Sequence, residues 1–219
     1  MTNSFIHILF IGLIALFPVI NPIGSAFIVN PYFVNLSRQQ KRNAVKRISL
    51  YAFAICAVTL FIGNYILQLF GLSIPVIQLA GGIMICKMGW QFLSREEHLQ
   101  NVHNKIEEIG KDHEDIENKL FYPITFPVTT GAGTISVLFT LSAHSHGVDI
   151  AHYLLNESAI FLAVIIMCIL IYMFYMNTKT LLDYIGKKGE IIINQISAFL
   201  IFCVGLQIAV VGLTTLLKA

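Results

Sequence analysis

Two short stretches of this sequence place polar groups inside otherwise apolar runs: Asn21-Pro22-Ile23-Gly24-Ser25 and Thr129-Thr130-Gly131-Ala132-Gly133-Thr134. Pro22 removes a backbone donor, and glycine at 24, 131 and 133 permits positive φ and close backbone approach. A helix restarting near Ser25 or Thr134 would present unpaired amide hydrogens and a positive dipole end, which suit a carboxylate. Carbonyls freed on the preceding side suit an ammonium group, while Asn21, Ser25, Thr129, Thr130 and Thr134 add side-chain hydrogen bonds. This inventory predicts a site that holds a small zwitterion. Taken singly, each stretch reads rather as a kink whose small residues let neighbouring helices approach. A matched pair of them reads as a site.

The elements that must position these stretches follow from composition. The 219 residues are 56% apolar and 12% charged, with mean hydropathy +0.75, against roughly 25% charge in a soluble domain. A water-soluble enzyme is excluded, and a polytopic all-α membrane protein is expected. Uncharged runs near the roughly 20 residues that span a bilayer place six spans at 4–34, 49–70, 74–92, 124–143, 153–176 and 191–217. The first exceeds a straight crossing and is interrupted by Pro18, Asn21-Pro22-Ile23-Gly24 and Asn30-Pro31, so a broken helix is expected there. Met1 to Ser4 carry no basic residue and no small-residue cleavage site follows, so the first span is expected to be retained.

Basic residues set the expected topology, since loops retained in the cytoplasm keep them near span ends. Arg38, Lys41, Arg42, Lys46 and Arg47 follow the first span, Arg95, Lys105, Lys111 and Lys119 the third, and Lys179, Lys187 and Lys188 the fifth. The connections after the second and fourth spans have none, and the carboxyl terminus has Lys218 alone. Both termini are therefore expected outside the cytoplasm, and two three-span halves would run in opposite orientation. Phe17-Pro18-Val19 and Gly24-Ser25 recur as Phe126-Pro127-Val128 and Gly133-Thr134, each shifted by 109 residues, half the chain. A slightly larger shift carries Gln78 and Cys86 onto Gln195 and Cys203, with an insertion at 179–189 absorbing the difference. The expected organisation is a first three-helix repeat at 1–94, a charged cytoplasmic loop at 95–122 and a second, inverted three-helix repeat at 123–219, with the first and fourth helices broken. Inverted repeats of this kind build alternating-access carriers around a midplane site.

Asn21-Pro22-Ile23-Gly24, Leu79-Ala80-Gly81-Gly82-Ile83, and Phe126-Pro127 with Thr130-Gly131-Ala132-Gly133-Thr134 together resemble the MarC family of bacterial inner-membrane proteins, which includes the SnatA-type transporters. The resemblance covers essentially the whole chain. It implies secondary transport of small neutral amino acids of the glycine and alanine type across the inner membrane, in two inverted three-helix repeats. Many members read Ala-Gly-Pro-Gly-Ala at the fourth-span break. This chain keeps the break with Thr130-Gly131-Ala132-Gly133-Thr134 and adds hydroxyls.

Three outlying residues join the candidate binding set. Gln78 and Gln195 are matched across the halves, and Lys87 is the lysine well inside a span, where it would hold a carboxylate or snorkel past Ser94 to the interface. No aspartate or glutamate lies mid-span, and Asp149 and Glu157 fall near the outer end of the fifth. Coupling to a proton or sodium gradient stays open. His144, His146, Asp149 and His152 read as interfacial residues rather than a metal site, His7 likewise, and Cys56, Cys86, Cys168 and Cys203 as small buried residues. Residues 95–120 hold eight acidic and four basic residues and read as a solvated segment. No phosphate loop, nucleophile or carboxylate pair is present for ATP-driven, cofactor-dependent or lipid-modifying chemistry, and no nucleic-acid partner is expected. The remaining functional classes are an exporter or channel for another small solute or drug, a lipid enzyme as the weakest, and a structural subunit. Membrane lipid is the expected surround, and the oligomeric state is not written in the sequence.

Overall fold

An apolar chain in lipid must satisfy its backbone polar groups within its own segments, which helices do. The computed structural model describes residues 2–94, 116–143 and 150–218, and among these every regular element is helical. The elements are α1 (Thr2–Ile20), α2 (Pro22–Phe33), α3 (Arg38–Leu69), α4 (Ile74–Leu93), α5 (Ile116–Lys119), α6 (Leu120–Thr129), α7 (Ala132–Ala143), α8 (Ile150–Met176) and α9 (Thr178–Lys218). Most of the expected charged loop, at 95–115, and the outer connection with His144, His146 and Asp149 lie outside the described residues.

Phe5–Phe33, Arg38–Gly63, Ile74–Leu93, His152–Met176 and Ile191–Lys218 are each long and apolar enough to cross a membrane. Leu120–Thr129 and Ala132–Ser142, bent by 56° at the break between them, are together long and apolar enough for a sixth, and the described residues thus hold five to six candidate spans. Less than two-fifths of the apolar 18-residue window in each of the first five is buried inside the protein. Exposed side chains on these spans, including Ile14, Phe61, Leu154 and Met173, make an apolar surface suited to lipid.

Two boundaries differ from expectation. The second span starts at Arg38 rather than near 49 because Ser37 forms a capping box: Ser37 Oγ accepts from the Gln40 amide at 3.3 Å and Gln40 Oε1 accepts from the Ser37 amide at 2.9 Å. The basic segment is thus the first turns of α3 rather than a loop. The stretch 179–189, expected as an insertion, is helical on both sides of Gly186, whose φ of 68° turns the chain within α9.

Polar contacts gather several helix ends at one side of the bundle. Lys41 Nζ donates to Thr178 Oγ1 at 2.8 Å and lies 5.5 Å from the Phe33 ring centroid. Arg47 and Glu117 pair at 3.0 Å, and Arg38 and Arg42 share a cavity with Tyr172 and Met176. The end of α2, the starts of α3, α5 and α9 and the end of α8 therefore form one basic end. The core runs from it through Ile48, Leu120, Ile171 and Tyr175 to Leu16, Ile20, Ile85, Leu138 and Met167, all fully or nearly fully buried.

The third and sixth spans pack backbone to backbone. A methyl group added at Gly82 would meet Gly205 O and the Ala209 backbone, and one at Gly205 would meet Gly82 O and the Cys86 backbone. A methyl at Gly89 would meet Ala198 and Phe202, and one at Gly212 would meet Pro75 and Leu79. Each contact turns into its partner when 123 is added to the α4 number and subtracted from the α9 number, as 82 goes to 205 and 89 to 212. Small residues seven apart on both helices allow this approach, the packing that substitutes for hydrophobic driving force between helices in lipid.

Candidate functional site

The first break is one residue wide. Asn21 takes a left-handed conformation, φ 44° and ψ 63°, which asparagine tolerates better than most side chains. Pro22 follows at the first helical position, where a missing N–H costs nothing. Asn21 Oδ1 accepts from the Gly24 amide at 3.1 Å, capping α2, and Asn21 O accepts from the Ser25 amide at 2.9 Å and from Ser25 Oγ at 2.8 Å. The break closes on its own atoms. Gly24 is required because a side chain there would strike the Asn21 amide and lie 3.0 Å from Asn194 Oδ1 of α9. The helix then continues through Asn30-Pro31 to Phe33.

The second break is wider and built from a four-residue repeat, Tyr122-Pro123-Ile124-Thr125 and Phe126-Pro127-Val128-Thr129. Tyr122 and Phe126 are extended, as residues before proline tend to be. The threonines restore what the prolines remove: Thr125 Oγ1 donates to Leu120 O at 2.6 Å and Thr129 Oγ1 to Ile124 O at 2.7 Å. Thr130 adds its amide at 2.8 Å and its hydroxyl at 3.3 Å to Thr125 O. The contacts therefore span five residues instead of four, and α6 is a kinked, widened helical stretch interrupted at the extended Tyr122 and Phe126. Thr130 is then extended, and α7 begins at Ala132, with Gly131 O accepting from the Ile135 amide at 3.2 Å. Glycine at the capping position offers no side-chain acceptor, so the first-turn amides of α7 are not closed as those of α2 are. Thr134, in that turn, is fully buried and its Oγ1 has no hydrogen-bond partner among the described residues.

Beside this open turn is a cavity of about 890 Å³. Its wall comprises Gly131, Ala132 and Gly133, the α6 residues Phe126, Pro127 and Val128, Ile28 of α2, and one side of α4 from Met84 through Lys87 and Gln91 to Ser94. Lys87 and the fourth-span break, 44 residues apart in number from 87 to 131, thus face one space. Lys87 is also exposed, as is Ser94 of the same wall. Gly133 is held tightly behind the wall: a methyl there would lie 2.8 Å from Ile85 Cγ1 and 2.9 Å from Val19 Cγ1.

The other candidates lie elsewhere. Asn21, Pro22, Gly24 and Ser25 do not line this cavity, because α2 turns only Ile28 towards it. Thr129 and Thr130 are buried behind it with their hydroxyls committed to α6 carbonyls. Gln78 is buried where α4 meets Gly212 of α9. Gln195 is exposed, whereas its neighbour Asn194 reaches Gly24.

The two breaks are joined by a residue that spacing did not single out. Tyr175, fully buried at the end of α8, places its hydroxyl 2.7 Å from Thr129 Oγ1 and comes close enough to the Ser25 side chain to act on it electrostatically. Thr129 Oγ1 already donates to Ile124 O, so Tyr175 is the donor in the bond between the two hydroxyls. Its position 46 residues beyond Thr129 leaves no local signal, and in sequence it is one of eight tyrosines.

The sequence profile described as MarC family integral membrane protein matches residues 6–217. The chain is 28% identical over 214 residues to the inner membrane protein MarC of Citrobacter koseri, covering 95% of each. It is 26% identical over 215 residues to that of Salmonella paratyphi A and 25% identical over 210 residues to that of Escherichia coli O1:K1 / APEC, again with 95% of each chain covered. No solved structure matches it.

Proposed function

This chain belongs to the MarC family of integral membrane proteins and is a multi-pass inner-membrane protein, and from that premise we propose that it is a secondary transporter of small neutral amino acids. The observation that carries the proposal is the open first turn of α7: it lines a cavity that Lys87 also lines, and it holds the buried, unpartnered Thr134 hydroxyl. An uncapped helix start with an ammonium near it suits a carboxylate. The amino group of the same substrate would find acceptors among the Gln91 side-chain oxygen and the carbonyls of the break. Charge elsewhere in the spans is scarce, which favours a solute that is neutral overall. The chain makes and breaks no bonds in this reading and holds no cofactor.

The basic end is cytoplasmic in this proposal, with both termini on the opposite side, as the distribution of lysine and arginine favours. The cavity, reaching Ser94 beside that end, then faces inward. Reciprocal contacts between α4 and α9 support two inverted halves related by an axis between Gly82 and Gly205. Alternating access would move the half-helices against that pair.

The test is flux of labelled glycine and alanine into proteoliposomes holding the purified protein. Saturable flux is expected. Folded protein that gives none under any ion gradient overturns the proposal. A second reading rests on size: about 890 Å³ lies at the upper end of pockets that take drug-sized ligands, and Met84, Met88, Trp90 and Phe92 make much of the wall apolar. Export of a larger amphipathic anion would show as saturable flux of such a solute with none for glycine or alanine.

A further inference from the structure

At the basic end, Arg38 and Arg42 of α3 line a cavity of about 430 Å³ together with Gln39, Tyr172 and Met176. The membrane-spanning stretches of both helices end there, α3 starting its span at Arg38 and α8 closing its span at Met176. The cavity therefore lies at the depth of lipid headgroups. Arg38 and Arg42 are four residues apart on one helix face, a spacing at which like charges repel. Two other cations of the same helix start have partners: Lys41 donates to Thr178 and Arg47 pairs with Glu117. Neither Arg38 nor Arg42 has a carboxylate partner among the described residues. Two guanidinium groups on one concave space match the two unesterified oxygens of a phosphodiester, to which each offers a fork of N–H donors. The Gln39 amide and the Tyr172 hydroxyl add neutral donors to the same wall.

The surface next to the cavity selects among phosphates. Ile169 and Met173, each more than half exposed, stand three or four residues from Tyr172 and Met176 on the same face of α8. From Met176 back to Ile169 this apolar stripe runs about 10 Å into the hydrocarbon. A free phosphate leaves the stripe bare, whereas a phospholipid covers it with acyl chain. A zwitterionic headgroup would bring its ammonium against two guanidinium groups, so an anionic headgroup is the better match. We propose that this cavity is a binding site for an anionic phospholipid, with its phosphate on Arg38 and Arg42 and its acyl chains along α8. Basic pockets between membrane helices at this depth hold such headgroups. The bound lipid offsets the repulsion between the two arginines and ties the start of α3 to the end of α8.

Native mass spectrometry of the purified full-length protein in detergent tests this, with an equimolar mixture of phosphatidylglycerol and phosphatidylethanolamine supplied and each retained lipid counted. Wild-type protein is expected to hold phosphatidylglycerol in roughly tenfold preference. Arg38→Gln combined with Arg42→Gln is expected to bring the two lipids close to parity. Lys179→Gln, which removes an exposed cation of the same end outside the cavity wall, is expected to leave the preference unchanged. No preference in the wild type overturns the proposal, as does a preference kept by the double arginine variant. Equal loss in Lys179→Gln overturns the site in favour of a diffuse positive field. Displacement of phosphatidylglycerol by millimolar inorganic phosphate overturns the lipid assignment in favour of a soluble phosphate. If the double variant does not fold, Gln39→Glu decides: a carboxylate placed in the cavity should pair with the arginines and abolish the preference. An unchanged preference in Gln39→Glu overturns the proposal.

Discussion

At Asn21 the chain interrupts a helix over one residue and closes the gap with its own side chains, whereas between Thr129 and Ala132 it bends by 56° and leaves the start of the second half-helix open. The two motifs look alike in sequence, with proline before the break and glycine after it. They differ in the residue at the capping position, asparagine in one and glycine in the other. Asparagine supplies an acceptor to its own helix, and glycine leaves that place to something else. The matched motifs therefore have unequal roles: the first holds α2 in place behind the site, and the second is the site's wall.

The largest expected effect that tests this inequality comes from valine at the two glycines. Gly133→Val should abolish ligand-induced thermal stabilisation by glycine and alanine, because the side chain meets Ile85 and Val19 and displaces the open turn. Gly24→Val should instead lower stability by breaking the Asn21 cap, leaving affinity largely intact. Equal loss of affinity in both variants would make the breaks equivalent after all. Lys87→Gln is next, with affinity for a carboxylate ligand falling roughly tenfold as one charged hydrogen bond is lost, measured by calorimetry in detergent. Unchanged affinity would remove Lys87 from the site. Tyr175→Phe removes the hydroxyl that bonds Thr129 and should cost about 1 kcal/mol, read as a lower midpoint of thermal unfolding with cavity affinity changed little. A last pair of variants, of which Asn21→Gly has the smallest effect, distinguishes conformation from capping at the first break. Asn21→Ala loses both the cap and the tolerated left-handed φ, roughly 2 kcal/mol, whereas Asn21→Gly keeps the conformation and loses less than about 1 kcal/mol.

Much of this was legible in the chain because membranes make local rules strict. Sparse charge located the spans, and proline with glycine located both breaks. Thr125 and Thr129, each two residues after a proline, carry a local signal for the hydroxyl-to-carbonyl repair that only the repeat at 122–129 makes visible. Pairings across the bundle left no such trace. Tyr175 reaches Ser25 and Thr129 from another helix, Asn194 rather than Gln195 reaches Gly24, and Glu157 is buried because Ser142 comes to it from α7. In each case the meeting of helices decides which of several similar polar residues is used. Repeat register has the same origin: Gln78 and Gln195 suggest a shift of 117 by subtraction, while the backbone contacts of α4 and α9 exchange at 123.

Those backbone contacts also have a mechanical consequence. Where side chains separate two helices, a small slide exchanges one set of rotamers for another. Between α4 and α9 there is no such cushion at Gly82, Gly89, Gly205 and Gly212, and a shift by one residue would drive a Cβ into a carbonyl. The pair is a beam rather than a bearing. Any displacement the protein undergoes has to be taken up by the short half-helices on either side, and the amide hydrogens at the centre of the beam should be the last in the molecule to exchange with deuterated water.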